Sequence, residues 1–314
     1  MGLGEFSESD VIVELAKIFA TDDPRILLGI GDDAAVIAPS EVNSVITTDM
    51  AVEGVHFRKQ WSSAFEIGRK ITAANLADLL AMGATPSHLV AAISLTGDEP
   101  LAWIVELAQG MAHEARRCKA PIVGGDLVKG SVVTISMTAI GYVKNPILRS
   151  GAQVGDRLYV SNIPGWSAAG WHLLSHGINP ESLASSKQAK RGIQQFCAPE
   201  VSYEAARLMR NAHALIDISD GLMTQGAQMA SASHVRCEFS AAKIEAIDEF
   251  ADLAQLADEV NANVWDWVGA GGEDHVFLAA GKDLSGTCIG EVVTGDGIAI
   301  IGLEHVPQGF VHFN

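Results

Sequence analysis

The sequence predicts an α/β (α+β) protein with two domains. Segments with the alternation of a strand, such as EVNSVITTDM, are followed by segments with the apolar spacing of a helix, such as AFEIGRKITAANLADLLAMGATP. At 314 residues, of which 48% are hydrophobic, the chain exceeds the usual size of one domain and can bury a sizeable core. We therefore expect two domains, each built from strands and helices.

The first half of the chain alternates between predicted strands and helices. EVNSVITTDM is rich in β-branched residues. In the segment after it, apolar residues recur at helical spacing before Gly83 and Pro86 end the helix; they are Ile67, Ile71, Leu76, Leu79 and Leu80. SHLVAAISLTG then predicts a strand, and EPLAWIVELAQGMAHEARRC a helix. APIVGGD predicts a short buried strand ending in a glycine turn, and SVVTISMTAIGYV a long alternating strand.

A connection rich in Pro, Gly and Arg, from Pro146 to Gly155, separates this half from the second. The second half predicts a strand at 157–161, helices in GWSAAGWHLLSHG and EVSYEAARLMRNA, the strand ALIDIS, a helix from Leu222, and strands in HVFLAA, TCIGEVV and GIAII. We therefore place the two domains at residues 1–145 and 146–314.

Composition excludes several classes of function. The chain has 21 basic and 38 acidic side chains, a formal charge of −17, which argues against binding nucleic acid. The amino terminus does not resemble a signal peptide, and the apolar runs are too short to span a membrane, so we expect a cytoplasmic protein. The four cysteines lack zinc-site spacing. GxxxxGK[ST] is absent, which excludes a P-loop.

Aspartates recur at predicted strand ends and turns, among small or hydroxylated neighbours. They are Asp32, Asp33, Asp49, Asp78, Asp126, Asp217 and Asp220. Any one of them alone is typical of a turn or a helix cap. Asp78, however, lies in an otherwise apolar helix, where an unpaired charge is costly. Two carboxylates about 4 Å apart repel by roughly 4 kcal/mol at an effective dielectric near 20, so convergence would require protonation or cations. Oxygen ligands without thiolates select Mg²⁺ or a similar hard cation.

A set of motifs in this chain closely resembles those of thiamine-monophosphate kinases, in the PurM-like ATP-binding superfamily. In order, they are GEFS, GIGDDAAV, TTDMAVEGVHF, AANLADLLAMGATP, VGGD, LRSGAQVGDRLYVS, GWSAAG, IDISDGL and GGEDHVF. The resemblance implies a PurM-like two-domain fold, with an N-terminal α/β domain whose mixed sheet forms a homodimer and a C-terminal α/β domain. It implies an ATP-dependent phosphotransferase that converts thiamine phosphate directly to thiamine diphosphate, with ADP as the other product. Several Mg²⁺ ions are implied, and a K⁺ requirement stays open.

The resemblance also implies roles for individual residues. Metal ligands are implied at Asp33, Thr47, Thr48, Asp49, Asp78, Asp126, Asp217 and Asp220. ATP contacts are implied at Gly125, Asp126, Arg149 and Ser219, and thiamine-phosphate contacts at His56, Glu273 and Phe310, where the aromatic ring would stack on thiamine. Because phosphoryl transfer depends mainly on positioning and charge neutralisation, Asp49, Asp126, Asp217 and Arg149 are the expected catalytic residues.

Several of these residues also have a purely structural interpretation. Arg149 could form a surface ion pair, His56 could be a satisfied strand histidine, and Glu273 could belong to a bend before a strand. Trp265 and Trp267 are expected in core or rim packing.

Two positions depart from the family pattern. Gln225 stands where many members carry an Asp, which puts the number of metal ions in doubt, and His275 stands where Tyr is common. A non-catalytic protein that binds nucleotide or thiamine phosphate is therefore an alternative. Aminoimidazole ribonucleotide synthetase is a more distant one, because it lacks the VEGVHF and GGEDHVF pairing. A selenophosphate synthetase would need a reactive cysteine in an amino-terminal loop, whereas the first cysteine here is Cys118.

Overall fold

The computed structural model describes residues 8–30 and 34–303. The chain divides into two compact units, one of residues 1–79 and 84–145 and the other of residues 80–83 and 146–314. We call them the amino-terminal and carboxy-terminal units. Among the helices of the described residues, none has the length and apolar character needed to cross a membrane.

The amino-terminal unit is built on a four-stranded mixed sheet. Its elements are α1 (Glu8–Ile18), β1 (Ile26–Leu28), β2 (Val36–Ile37), β3 (Asn43–Val52), α2 (Ala64–Ala81), β4 (Thr85–Leu95), α3 (Leu101–Arg117), β5 (Ile122–Lys129) and β6 (Thr134–Val143). The strand order is β3-β6-β4-β5, in which β4 and β5 are parallel and the other neighbours antiparallel; β1 and β2 form a separate ribbon. The predicted strands and helices of this half are confirmed.

One face of this sheet is covered and the other is open. Leu89, Ile135 and Met137 are buried on the covered face, and α2 packs there through Leu79. On the other face, the side chains of Ile46 and Met50 are 66% and 55% exposed. Apolar side chains in a strand normally face a core, so the open face is a feature that the alternating pattern alone could not assign.

Helix α2 begins where its sequence predicts. Ser63 and Glu66 form a capping box, in which the Glu66 carboxylate accepts from the backbone N–H of Ser63 at 2.8 Å and the N–H of Glu66 donates to Ser63 Oγ at 3.3 Å. The helix then packs very closely on α3, because a Cβ on Gly68 would lie 2.2 Å from the carbonyl oxygen of Leu107.

The glycine turn expected in VGGD is wrong. Strand β5 continues through both glycines to Lys129, paired in register with β4. A Cβ on Gly125 would lie 1.9 Å from the carbonyl oxygen of Ala91, so this glycine serves close strand approach rather than a turn. Asp49 and Asp126 consequently lie inside strands β3 and β5, and not at their ends as expected.

The carboxy-terminal unit is built on a six-stranded sheet. Its elements are β7 (Arg157–Val160), α4 (Trp166–Ser175), a 3-10 helix (Pro180–Ser182), α5 (Ser186–Cys197), α6 (Tyr203–Leu208), β8 (Ala214–Ile218), α7 (Leu222–Ser233), β9 (Arg236–Ser240), α8 (Ala241–Glu245), α9 (Asp248–Glu259), α10 (Val264–Ala270), β10 (Val276–Gly281), β11 (Thr287–Val293) and β12 (Gly297–Ile301). The strand order is β12-β9-β11-β7-β10-β8, with β12 parallel to β9 and the other neighbours antiparallel.

The sequence patterns did not reveal α5, α9 or β9. Helix α5 is strongly polar and reaches the core through small residues: a Cβ on Gly170 of α4 would lie 2.0 Å from the carbonyl oxygen of Gly192 of α5. The buried side of α5 consists of Ala189, Gly192, Phe196 and Cys197, mostly small residues, so the apolar stripe on which a helix prediction depends is weak. The tryptophan pair packs as expected, with Trp267 buried and Trp265 against Phe250 at a ring-centroid distance of 5.3 Å.

A buried carboxylate caps helix α4 from a distant part of the chain. Gly165, at the N-cap, has no side chain to offer, and the two oxygens of Asp274 accept from the backbone N–H groups of Gly165 at 2.6 Å and Ser167 at 2.9 Å. Such a position favours a negative charge. Asp274 is nevertheless only 1% exposed, and burial raises its pKa to about 6 against the opposing effect of these hydrogen bonds.

This pKa predicts how stability depends on pH. Because the folded pKa of Asp274, about 6, exceeds its unfolded value of 3.8, its stabilising effect is complete below pH 3.8 and is lost as the pH rises through about 6. Asp274→Asn should remove this dependence, about 3 kcal/mol at 1.36 kcal/mol per pKa unit, from the pH profile of the unfolding free energy. Urea unfolding from pH 4 to 7 measures it. Asp266→Asn, an exposed control, should keep the wild-type slope, and an unchanged slope in Asp274→Asn would refute the prediction.

Candidate functional site

In the amino-terminal unit, the structure joins two of the expected metal ligands directly. Thr47 on β3 donates its hydroxyl to Asp78 Oδ2 on α2 at 2.6 Å, and both residues are half-buried. Asp49, two residues along β3, lies on the same face of the sheet as Thr47 and is also half-buried. The hydroxyl donor orients the Asp78 carboxylate without cancelling its charge, so this face keeps the oxygen donors that a hard cation needs.

The structure places Thr48 and Asp126 on the opposite, open face. Register pairing through β6 and β4 puts the two side chains on one face, at the two edge strands. Thr48 donates to the carbonyl oxygen of Met137 at 3.0 Å and accepts from Thr138 Oγ1 at 3.1 Å. Asp126 is exposed and accepts from the backbone N–H of Leu127 at 3.0 Å. Among the described residues of the amino-terminal unit, the expected ligands therefore form two groups and not one.

His56 is held in a turn just after β3. The ring Nδ1 of His56 accepts from the backbone N–H of Val52 at 3.1 Å, and the backbone N–H of His56 donates to the Val52 carbonyl oxygen at 3.0 Å. A ring that accepts at Nδ1 carries its proton at Nε2 in the neutral form. The half-buried side chain therefore presents a fixed N–H donor, which is the property needed to bind an acceptor phosphate.

In the carboxy-terminal unit, Asp217 contacts a histidine that the sequence did not assign to it. Asp217 is buried on β8, and its Oδ2 lies 3.2 Å from His275 Nδ1, at the entry to the neighbouring strand β10. The sequence indicates only that His275 stands where Tyr is common in the family. The contact depends on the antiparallel pairing of β8 with β10, across 58 residues of sequence, so local patterns offer no signal for it.

The turn after β8 brings Ser219, Asp220 and Glu273 together. The backbone N–H of Glu273 donates to the Ser219 carbonyl oxygen at 2.7 Å, and a Cβ on Gly272 would lie 2.2 Å from that same oxygen. The GGED segment is thus more than a bend before a strand: its glycines let two backbone segments meet at close range. Gln225 bonds to both Ser219 and Asp220 from the first turns of α7.

Arg149 lies on the exposed connection between the two halves of the sequence. Its Nη1 donates to Gln228 Oε1 on α7 at 2.6 Å, and its carbonyl oxygen accepts from Ser233 Oγ at 3.0 Å. Both contacts are with neutral groups, in contrast to the surface ion pair considered from the sequence. A guanidinium held in this way keeps its full positive charge for an anionic ligand.

The remaining expected residues lie outside the described part of the chain. Asp32 and Asp33 fall between residues 30 and 34, and Phe310 falls after residue 303. Their implied roles stay predictions.

The oxygen groups described above fit a magnesium ion that is bound partly by the protein and partly by substrate phosphates. Among the described residues, no three His, Cys, Asp or Glu side chains form a cluster that could hold a metal by themselves. Mg²⁺ in phosphotransferases is commonly bound by one or two carboxylates, with waters and substrate phosphates completing the shell. Within each unit taken by itself, a carboxylate held by a neutral group, Asp78 by a hydroxyl and Asp220 by an amide, would supply one such ligand.

Comparison with known proteins agrees with this chemistry. The model of the family "AIR synthase related protein, N-terminal domain" matches residues 31–143. A thiamine-monophosphate kinase of Mycobacterium tuberculosis is 40% identical over 279 residues, covering 88% of this chain and 80% of that protein.

Solved structures give the same result for the fold. The crystal structure of thiamine-monophosphate kinase from Stenotrophomonas maltophilia K279a superposes with a TM-score of 0.80 at 30% identity, covering 96% of this chain and 98% of that one. AaThiL complexed with AMPPCP and TMP superposes with a TM-score of 0.79 at 27% identity, covering 100% and 99%. The two-unit mixed architecture, the oxygen donors in the motif positions and the extent of these similarities show that this chain belongs to the thiamine-monophosphate kinase family.

Proposed function

We propose that this protein transfers the terminal phosphoryl group of ATP to the phosphate of thiamine phosphate, giving thiamine diphosphate and ADP. The observation that carries the proposal is the half-buried Asp78 carboxylate, held by Thr47 at 2.6 Å, in a chain 40% identical to a thiamine-monophosphate kinase. A family structure that contains AMPPCP and TMP supports the pair of substrates.

We propose several Mg²⁺ ions as cofactors, and leave a K⁺ requirement open. Their ligands would be Asp33, Thr47, Thr48, Asp49, Asp78, Asp126, Asp217 and Asp220. When bound, they supply positive charge against the phosphates and align them for transfer. The domain proposed at residues 1–145 would bind ATP and Mg²⁺ and form the dimer. Residues 146–314 would form the second domain and contribute the remaining groups.

The chain's own residues bind and orient the two substrates in this proposal. Arg149 binds a phosphate through its guanidinium, and Ser219 donates to the nucleotide, with Gly125 at the ATP site. His56 donates from Nε2 to the acceptor phosphate. Glu273 faces the cationic thiazolium, and Phe310 stacks on a thiamine ring. Cytoplasm is the proposed location, because the donor is ATP and the four cysteines are free thiols.

A binding protein without turnover is the second candidate. Gln225 favours it, because an amide stands where many family members carry a carboxylate, and the amide bonds to Asp220. An assay for ADP and thiamine diphosphate separates the candidates. Ligand binding without turnover would support the binding protein, and turnover would support the kinase.

We also propose a homodimer, formed through the open face of the amino-terminal sheet. Ile46 and Met50 are exposed there beside Thr48, and burying such side chains yields roughly 1.5–3 kcal/mol each. Thr48 and Asp126 share this face, so a second copy seated on it would bring its own Thr48 and Asp126 near those of the first.

Removing a metal-ligand carboxylate should abolish activity and spare the fold. We expect Asp49→Asn to lower kcat/KM at least about 100-fold with little change in Tm, because it removes a metal ligand and also relieves repulsion between carboxylates. Thiamine diphosphate formation and thermal unfolding measure the two effects. Asp98→Asn, on an exposed loop, is the control and should retain wild-type activity. Parallel losses of activity and Tm in Asp49→Asn would contradict the catalytic assignment.

A charge on the open face should separate the dimer. Met50→Glu should convert a dimer to a monomer in light scattering after gel filtration, because two buried carboxylates would oppose each other without partners. Leu208→Glu, equally exposed at 56% on the carboxy-terminal unit, should leave the dimer intact. A monomeric wild-type protein, or a dimer unchanged by Met50→Glu, would rule out this interface.

A further inference from the structure

Gln225 is a buried amide that folds back on the turn before its own helix. It lies near the start of α7 and is 3% exposed. Its Oε1 accepts from the backbone N–H of Asp220, and its Nε2 donates to Ser219 Oγ and to Asp220 Oδ2, each at 3.2 Å. Gly221, at the N-cap of α7, has no side chain, and the amide of Gln225 instead bonds to the turn that precedes the helix.

These contacts determine the direction of the hydrogen bonds in the turn. Both hydrogens on Nε2 are used, so Ser219 Oγ and Asp220 Oδ2 act as acceptors from Gln225. A hydroxyl that accepts through a lone pair retains its own proton for another acceptor. Ser219 is therefore set to donate outward, away from Gln225.

A carboxylate at position 225 would reverse this arrangement. It can only accept, so the Ser219 hydroxyl would turn to donate to it. It would also face the Asp220 carboxylate at about the present 3.2 Å, and two such charges require a proton or a cation between them. The Gln225 amide contacts Ser219 and Asp220 without needing a proton or a cation between two carboxylates.

We propose that Gln225 is a positioning residue for the nucleotide: it directs the Ser219 hydroxyl toward a phosphate and holds Asp220 without a cation between residues 220 and 225. This inference rests on the proposed function, because Ser219 and Asp220 are assigned there to ATP and its metal. Gln225 itself contacts neither, since its amide groups bond within the protein.

Two substitutions test the proposal with a non-hydrolysable ATP analogue and Mn²⁺, which replaces Mg²⁺ as the measured cation. Gln225→Glu keeps the length of the side chain and adds the charge, whereas Gln225→Met keeps the bulk and removes the hydrogen bonds. Gln188→Glu is the matched control: Gln188 Nε2 donates to Asp252 Oδ1 at 3.0 Å in the same unit, away from the turn. Titration calorimetry gives the Kd of the analogue at low and at saturating Mn²⁺, and circular dichroism reports folding.

The expected results differ between the three variants. Gln225→Glu should weaken analogue binding about 10-fold at low Mn²⁺ and recover at saturating Mn²⁺, because a cation then bridges the added carboxylate and Asp220. Gln225→Met should weaken binding about 10-fold at both concentrations, since loss of a supporting hydrogen-bond partner is not restored by metal. Gln188→Glu should match the wild type at both.

Wild-type affinity in folded Gln225→Glu at both Mn²⁺ concentrations would overturn the proposal, and this outcome decides the matter even if Gln225→Met fails to fold. Failure of the proposed function gives a different result. A wild-type protein that binds the analogue but forms no thiamine diphosphate would refute the kinase and leave the role of Gln225 intact. A wild-type kinase whose Gln225 variants bind the analogue normally would refute only the role of Gln225.

Discussion

The structure depends on one constraint: each buried or half-buried carboxylate needs a basic or hydrogen-bonding partner. Acidic side chains outnumber basic ones in this chain. Each carboxylate that the fold removes from water must therefore be neutralised or held ionised by hydrogen bonds. The fold does both, in different places. Buried Glu99 meets Lys59 at 2.6 Å, and buried Glu114 meets Arg69 at 2.9 Å. These glutamates lie outside the family motifs and are neutralised within the fold.

The motif aspartates are held differently. Asp78 accepts from a hydroxyl, Asp220 from an amide, and Asp217 contacts an imidazole. A hydroxyl or amide donor fixes the direction of the Asp78 or Asp220 carboxylate without cancelling its charge. Asp274 is a third case, in which two backbone N–H groups hold a carboxylate that caps a helix. Buried Glu99 and Glu114 thus meet basic side chains, whereas the contacts described for Asp78 and Asp220 are with neutral groups.

Glycines bring the polar segments together. In the amino-terminal unit, Gly125 allows β5 to approach β4 at a distance that no Cβ would permit. In the carboxy-terminal unit, a Cβ on Gly221 would lie 2.7 Å from the carbonyl oxygen of Ala270, and Gly272 closes on Ser219. The close approaches of Gly221 and Gly272 shape the turn to which Gln225 bonds. A site built from main-chain contacts at this range leaves little freedom for the side chains that it presents.

The sequence by itself determined the mixed secondary structure, the family and the positions of the aspartates. Periodicity predicts α2 and β3 because burial on one face repeats with the geometry of the element, and the motifs are local in the chain. Only the tertiary structure decided that Thr47 bonds Asp78 while Asp126 lies on the opposite face, and that His275 contacts Asp217. These contacts join residues far apart in the sequence, and their direction depends on strand register and helix packing. The residues next to an aspartate in the sequence do not specify strand register or helix packing. The aspartate can therefore be located from the sequence, whereas its partner cannot.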